Sequence, residues 1–336
     1  MAEYKCAPPL ALVLVTGASG FVSTWLIKEL LEKGEYRVRG TVRDKSKEEK
    51  VQPVLDLVPN AKYPLELVEA DLNDKDCWGP AVDGCSYVFH VASPNPTPDE
   101  TPEDENELIG PAVDGVVNVF TACSKCETLK RVVLTSSTAA VCGYSGIPGR
   151  PSDCEYNEED WAVEENIGAY EKSKLKAERA AWDFVKHDKK FELVVVNPSY
   201  IHGPLLSAAS GAVSALIAVM LLEQNELLWS FCEGVIDVRD VATAEIAAMF
   251  TPSAAGKRFI LSGGSMNSKE FTEVIRNEFE PQGYTVPTSD EPGLVKYTFN
   301  NEQMRNELGV IPRPIEQAIR ETCYSAIQFG LVSKKP

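Results

Sequence analysis

A chain of 336 residues, 44% apolar and 25% charged, has the make-up of a folded globular protein and exceeds the length at which one core usually stops growing. Its net charge of −17 argues against nucleic acid and against an anionic membrane surface, while a local basic pocket can still take an anionic ligand.

The run Leu10 to Thr16 is continuously apolar up to its final threonine, as expected of a strand buried on both faces of a parallel sheet. It serves better as such a strand than as a signal peptide. It feeds into Gly17-Ala18-Ser19-Gly20-Phe21-Val22-Ser23, after which Thr24 to Lys33 reads as a helix closed by Gly34. Strand, glycine turn and helix form the context of a dinucleotide phosphate loop, because the helix N-terminus offers free N–H groups and a positive dipole end to a pyrophosphate. Ser23 stands where a third glycine is usual, at a position that serves helix–strand packing.

A second strand, Tyr36 to Val42, ends at Arg43-Asp44. An acid there would bind the 2′-hydroxyl of NAD, and a base would accept the 2′-phosphate of NADP. Arg43 comes first, and Lys45, Lys47 and Lys50 follow, so NADP is expected. Asp44 is the competing signal, or else it orients the Arg43 guanidinium.

Further strands are expected at Leu65 to Ala70, ending in Asp71-Leu72, and at Ser86 to Val91, ending in Ala92-Ser93-Pro94 before a Pro-rich loop to Pro102. A long helix spans Glu105 to Lys125. Arg131 to Thr135 forms the next strand and leads into Ser136-Ser137-Thr138, hydroxyls at the end of a strand where such sheets bind ligands. An irregular stretch, Gly143 to Glu165, precedes a helix running toward His187, and Phe191 to Val196 is a sixth strand ending at Asn197-Pro198-Ser199-Tyr200. Units alternating in this way specify an α/β fold, a Rossmann-type doubly wound parallel sheet. After Gly203-Pro204 short strands (Val235 to Val238, Arg258 to Leu261) mix with helices near Asp240–Phe250, Ser268–Phe279 and Pro314–Phe329. Residues 1–203 are thus expected to form the nucleotide-binding domain, and 204–336 a smaller α+β substrate lobe interleaved with the sheet.

Tyr170 and Lys174 stand four apart on the helix opened by Gly168, one above the other on a single face. A phenol donates a proton near neutral pH only if its pKa is pulled well down, and a cation one turn away does that. The cysteines are scattered, and most fall inside apolar patterns such as those of Cys85 and Cys142. They read as reduced thiols of a cytoplasmic protein. Cys123 and Cys126 have redox or metal-ligand spacing, but they fall within a helix and have no second pair nearby, so no metal site is expected. Ser207 to Leu222 is interrupted by Ser210, Gly211 and Ser214 and is too short to span a bilayer.

The ordered motifs Thr16-Gly17-Ala18-Ser19-Gly20, Thr41-Val42-Arg43-Asp44, Phe89-His90-Val91-Ala92-Ser93-Pro94, Thr135-Ser136-Ser137, Tyr170-x-x-x-Lys174, Pro198 to Pro204 and Val235 to Val241 together resemble the extended short-chain dehydrogenases/reductases. The branch most similar in look contains dihydroflavonol 4-reductase, cinnamoyl-CoA reductase and fungal aldehyde and ketone reductases. The resemblance implies Ser137, Tyr170 and Lys174 as the catalytic set, with Ser136 the neighbour open to confusion. It implies Arg43 and Lys50 for the 2′-phosphate, Asp71 and Leu72 for the adenine, Val91, Ala92, Ser93 and Thr135 along the cofactor, and Pro198 and Ile201 beside the nicotinamide. Ser93, Cys142, Tyr200 and His202 are expected to line the substrate pocket, with His202 either touching substrate or satisfied within its loop. Met220 and Trp229 read as packing residues.

Departures from the family pattern are Ser23, and Cys142 where dihydroflavonol reductases carry asparagine. Asn166-Ile167-Gly168-Ala169-Tyr170 also lacks the Asn-Trp-Tyr-Cys-Tyr-Gly-Lys string of plant cinnamoyl-CoA reductases. The expectation is therefore an NADPH-dependent reductase of uncharged aldehydes or ketones, a monomer or homodimer with no nucleic-acid or membrane partner. Its rivals are an NAD-dependent sugar-nucleotide epimerase or dehydratase, a hydroxysteroid-type alcohol dehydrogenase of the same fold, and a non-catalytic NADP-binding regulator.

Overall fold

A computed structural model describes residues 10–94, 104–224, 232–288 and 297–336. The expected Pro-rich loop to Pro102 and Trp229 lie outside the described residues.

The framework is a parallel sheet of seven strands: β1 (Leu12–Val15), β2 (Arg37–Val42), β3 (Glu66–Glu69), β4 (Tyr87–His90), β5 (Arg131–Thr135), β7 (Glu192–Pro198) and β10 (Arg258–Leu261), in spatial order β10-β7-β5-β4-β1-β2-β3. The order reverses direction at β1, beside which β2 and β4 both pair, and ligands bind such sheets at the carboxyl ends beside that switch. Alternation along β1 explains why all four of its residues are buried: Val13 and Val15 pack on one face, Leu12 and Leu14 on the other. The first face is covered by α1 (Phe21–Lys33) and α7 (Val238–Phe250), the second by α3 (Trp78–Val82), α4 (Asn106–Lys125) and α5 (Ala169–His187). Strand β10 and helix α7 follow residue 203 in the chain yet belong to this sandwich.

Two differences in element bounds have local causes. Helix α1 begins at Phe21 rather than Thr24, with Gly20 in extended conformation and no side-chain cap, so the usual Ser/Thr start signal is missing. Helix α7 begins at Val238 rather than Asp240 because the Asp237 carboxylate accepts from the Arg239 N–H.

The rest of the chain adds α2 (Glu48–Leu55), β6 (Glu155–Tyr156), β8 (Tyr200–His202), α6 (Val213–Val219), β9 (Cys232–Asp237), β11 (Gly264–Asn267), α8 (Ser268–Phe279), β12 (Thr298–Phe299), α9 (Glu302–Glu307) and α10 (Ile315–Gln328). Strands β11, β9 and β8 make a small mixed sheet, and β12 pairs with β6 in parallel. A separate core of Ile217, Leu221, Phe271, Ile275, Phe279 and Ile319 joins α6, α8 and α10. No helix among the described residues is long and apolar enough to cross a membrane.

Candidate active site

The β1–α1 turn is built around close approach. Gly17 has φ +67°, and a Cβ there would stand 3.1 Å from the Ala92 side chain. The Gly17 N–H donates to Thr41 Oγ1 at 2.9 Å and the Ala18 N–H to the Thr41 carbonyl at 2.7 Å, which pins the turn to β2. Thr16 Oγ1 accepts from the N–H groups of Val91 and Ala92 at 3.0 and 2.9 Å, which pins it to the end of β4. Ser23 is buried, and its hydroxyl donates to the Thr16 carbonyl at 3.2 Å, so the serine in place of glycine ties helix to strand.

The first intrahelical bond of α1 runs from Thr24 N–H to the Gly20 carbonyl. The N–H groups of Phe21, Val22 and Ser23 precede it, no acidic side chain lies in the first turn, and Gly20 supplies no cap. Such an end suits an anionic ligand. The residues present therefore fit a dinucleotide pyrophosphate.

Arg43 and Lys50 are exposed, at the end of β2 and in the first turns of α2. Asp44 does not orient the guanidinium: its carboxylate accepts from the N–H and hydroxyl of Ser46 at 2.8 and 2.6 Å. Those bonds also hold its pKa below the ordinary value. Asp71 and Leu72 follow β3, with the Asp71 carboxylate accepting from Asn73 N–H at 2.9 Å and the Leu72 carbonyl from Asn118 at 2.8 Å.

Beyond β5 the two serines diverge. Ser136 is buried and donates to Glu178 Oε2 at 2.6 Å. Ser137 is only half-buried, and its hydroxyl accepts from Ala139 N–H at 3.1 Å to cap a short 3-10 turn, Thr138–Ala140. That turn packs on α5, whose N-terminus is held by Glu171, accepting from Gly168 N–H and Tyr144 N–H at 2.6 Å each. Tyr170 lies in the first turn of α5, and the half-exposed Tyr144 ring lies parallel to it, centroids 6.2 Å apart and planes within 7°. Lys174 Nζ stands 5.9 Å from the centre of the Tyr170 ring. Lys174 is 9% exposed, and burial pushes its pKa down to about 8 against the opposing pull of Glu178.

Beside β5, β7 ends at Pro198, and β8 carries Tyr200, Ile201 and His202. Tyr200 and Ile201 are half-buried. Cys142 and His202, both expected on the pocket wall, are each 1% exposed. Cys142 packs into a cluster with Val141, Tyr156, Ile260, Tyr297 and Phe299. His202 lies between the rings of Tyr200 and Phe271, its nitrogens have no hydrogen-bond partner among the described residues, and burial lowers its pKa to about 3.

Residues 13–261 match the model of the NAD dependent epimerase/dehydratase family. Cinnamoyl-CoA reductase CAD2 of Medicago truncatula is 35% identical over 93% of this chain and 94% of its own length. The chain belongs to that family, the extended short-chain dehydrogenases/reductases. Dihydroflavonol 4-reductase of Arabidopsis thaliana is 36% identical over 83% of this chain and 72% of its own length. Among solved structures, yeast methylglyoxal/isovaleraldehyde reductase Gre2 complexed with NADPH superposes with a TM-score of 0.79 at 27% identity, covering 95% of this chain and 99% of that one.

Several residues around this family site have roles that the sequence alone does not assign. Thr16, Thr41 and His90 knit the phosphate turn to the sheet, with Thr16 Oγ1 and His90 Nδ1 3.1 Å apart. Glu178, Arg258 and Asn197 form a buried polar knot behind Ser136, and Glu245 accepts from the Thr135 hydroxyl at 2.6 Å. The available signal was a charged or amide residue inside an apolar run, as in Arg258-Phe-Ile-Leu261 and Val194-Val-Val-Asn197. For Glu178 it was also the four-residue step beyond Lys174 on one helix face.

Proposed function

We propose that the chain is an NADPH-dependent carbonyl reductase that acts on largely uncharged aldehydes or ketones, with Ser137, Tyr170 and Lys174 at the reacting oxygen. The observation that carries this reading is the buried Lys174 ammonium 5.9 Å from the Tyr170 ring centre, beside the loop that bears Ser137. Support comes from the reductases named above and from the NADPH of the Gre2 complex.

Gly17, Ser19, Gly20, Phe21 and Val22 hold the pyrophosphate, and exposed Arg43 and Lys50 hold the 2′-phosphate. Asp71 and Leu72 bound the adenine; Val91, Ala92, Ser93, Thr135, Pro198 and Ile201 border the rest of the cofactor. Bound NADPH supplies the hydride. Ser137 and Tyr170 donate hydrogen bonds to the carbonyl oxygen as negative charge gathers there, and Tyr170 gives up its proton. Lys174 stabilises the phenolate left behind and orients the nicotinamide ribose. Ser136 is not available for this work, since its hydroxyl is committed to Glu178. Ser93 and Tyr200 line the pocket, with Cys142 and the uncharged His202 packed behind its wall, which favours a neutral substrate.

NADPH oxidation measured across aliphatic, aromatic and keto-ester carbonyls, and repeated with NADH, tests the assignment. Turnover with a marked NADPH preference is expected. Cofactor that stays bound through purification, with no turnover and no preference, would point instead to an epimerase-type enzyme.

A further inference from the structure

Behind the serine loop lies a knot of buried polar groups that the proposed chemistry does not touch. Glu178 is on α5, four residues after Lys174, and its side chain is fully buried. Its Oε2 accepts from Ser136 Oγ at 2.6 Å and from Asn197 Nδ2 at 2.7 Å, and the same Asn197 amide donates to the Ser137 carbonyl at 3.1 Å. Its Oε1 accepts from Arg258 Nε at 2.6 Å and from Trp182 Nε1 at 3.2 Å.

Arg258 reaches this point from the edge strand β10. Its guanidinium also donates to the carbonyls of Glu158 and Asp160 at 2.7 Å each, and it lies 3.8 Å from the centre of the Trp161 ring. A carboxylate held by so many donors in a dry interior has one available position. A cavity of about 10 Å³, enough for one water, is bordered by Ser93, Thr135, Ser136, Lys174 and Glu178. Lysine and glutamate thus border the same small, partly open space.

We propose that Glu178, clamped by Arg258, is a positioning residue of this site: it fixes the Ser136–Ser137 segment and supplies the buried negative charge that keeps Lys174 protonated. The proposal rests on the reading of Tyr170 and Lys174 given above.

The balance of forces on Lys174 fits this role. Burial drives its pKa down, and Glu178 opposes that shift. Two other ionisable groups face Lys174: Tyr170 on its own helix and His90 from β4, which burial keeps neutral with a pKa of about 3. Glu245, from α7, is not among the residues bordering the cavity; it accepts from the hydroxyl of Thr135, which is. Helix α4 presents Ala112 and Val116, which carry no charge.

The test is an NMR titration of the Lys174 side chain in isotopically labelled protein, assigned by a Lys174→Arg variant, in wild type, Glu178→Gln and Glu178→Asp. It is read beside the pH profile of kcat with NADPH and an aldehyde. In E178Q the Lys174 midpoint should fall by about one pH unit or more, and the alkaline limb of kcat should move down with it. E178D keeps the charge and should restore the midpoint. The double variant Glu178→Gln/Arg258→Met removes both buried charges, so neither is left unpaired should E178Q fail to fold; it should show the same downward shift. A purely structural role would lower kcat at every pH with both midpoints unmoved, and that result overturns the proposal. The NMR midpoint needs no turnover, so inactivity toward carbonyls would count against the reductase reading alone.

Discussion

Lys174 stands one helical turn beyond Tyr170, its ammonium 5.9 Å from the phenol ring centre and almost wholly withdrawn from solvent. In that setting the lysine's charge acts through a medium of low dielectric, so it stabilises a phenolate more strongly than a surface lysine would. The residues that place this pair supply further, separable tests.

Arg43 and Lys50 are exposed cations at the end of β2 and the start of α2, and the nearby acid, Asp44, is turned to Ser46. Replacing both with alanine should raise the KM for NADPH by about tenfold or more, the worth of a charge-assisted hydrogen bond. The KM for NADH should change little. Steady-state kinetics with both cofactors checks this, and an equal loss for both would remove these residues from phosphate recognition.

Gly17 carries φ +67° with the Ala92 side chain 3.1 Å from where a Cβ would stand. Gly17→Ala should cost about 1–2 kcal/mol in stability from the left-handed backbone alone. It should also weaken NADPH binding, because the turn must shift. Thermal unfolding and a cofactor fluorescence titration measure the two effects separately.

Glu245 makes stability depend on pH. Burial raises its pKa in the folded chain from 4.5 to about 8, with only the Thr135 hydroxyl opposing. Between those values the folded protein holds a proton that the unfolded chain releases. The group's contribution is therefore fully present below about pH 4.5 and is lost as pH rises through about 8. Glu245→Gln mimics the protonated form at every pH. Its melting temperature should match wild type near pH 5 and exceed it increasingly toward pH 8, by up to a few kcal/mol of stability. A constant difference across that range would show that Glu245 is ionised when folded.

Strands β1 and β5 were legible because they are largely apolar runs leading into glycine or hydroxyl residues at their carboxyl ends. Leu10 to Thr16 and Arg131 to Ser137 announce both burial on two faces and a ligand-binding end. Tyr170 and Lys174 were legible because helical spacing joins residues four apart. The knot behind them was not, since Arg258 and Glu178 lie 80 residues apart and meet only once β10 docks on β7. Nor does sequence tell which of two adjacent serines turns inward; the carboxylate waiting under Ser136 decides that. The burial of Cys142 and His202 likewise depends on partners such as Phe299 and Phe271, far along the chain.

The most direct test is the Tyr170→Phe variant, which removes one hydroxyl and leaves the ring beside Tyr144 and Lys174. With NADPH and a carbonyl substrate turned over by wild type, kcat should fall by about a hundredfold or more, the range for loss of a general acid. The Kd for NADPH should stay near that of wild type. A variant that turns over at the wild-type rate would mean that the proton comes from elsewhere.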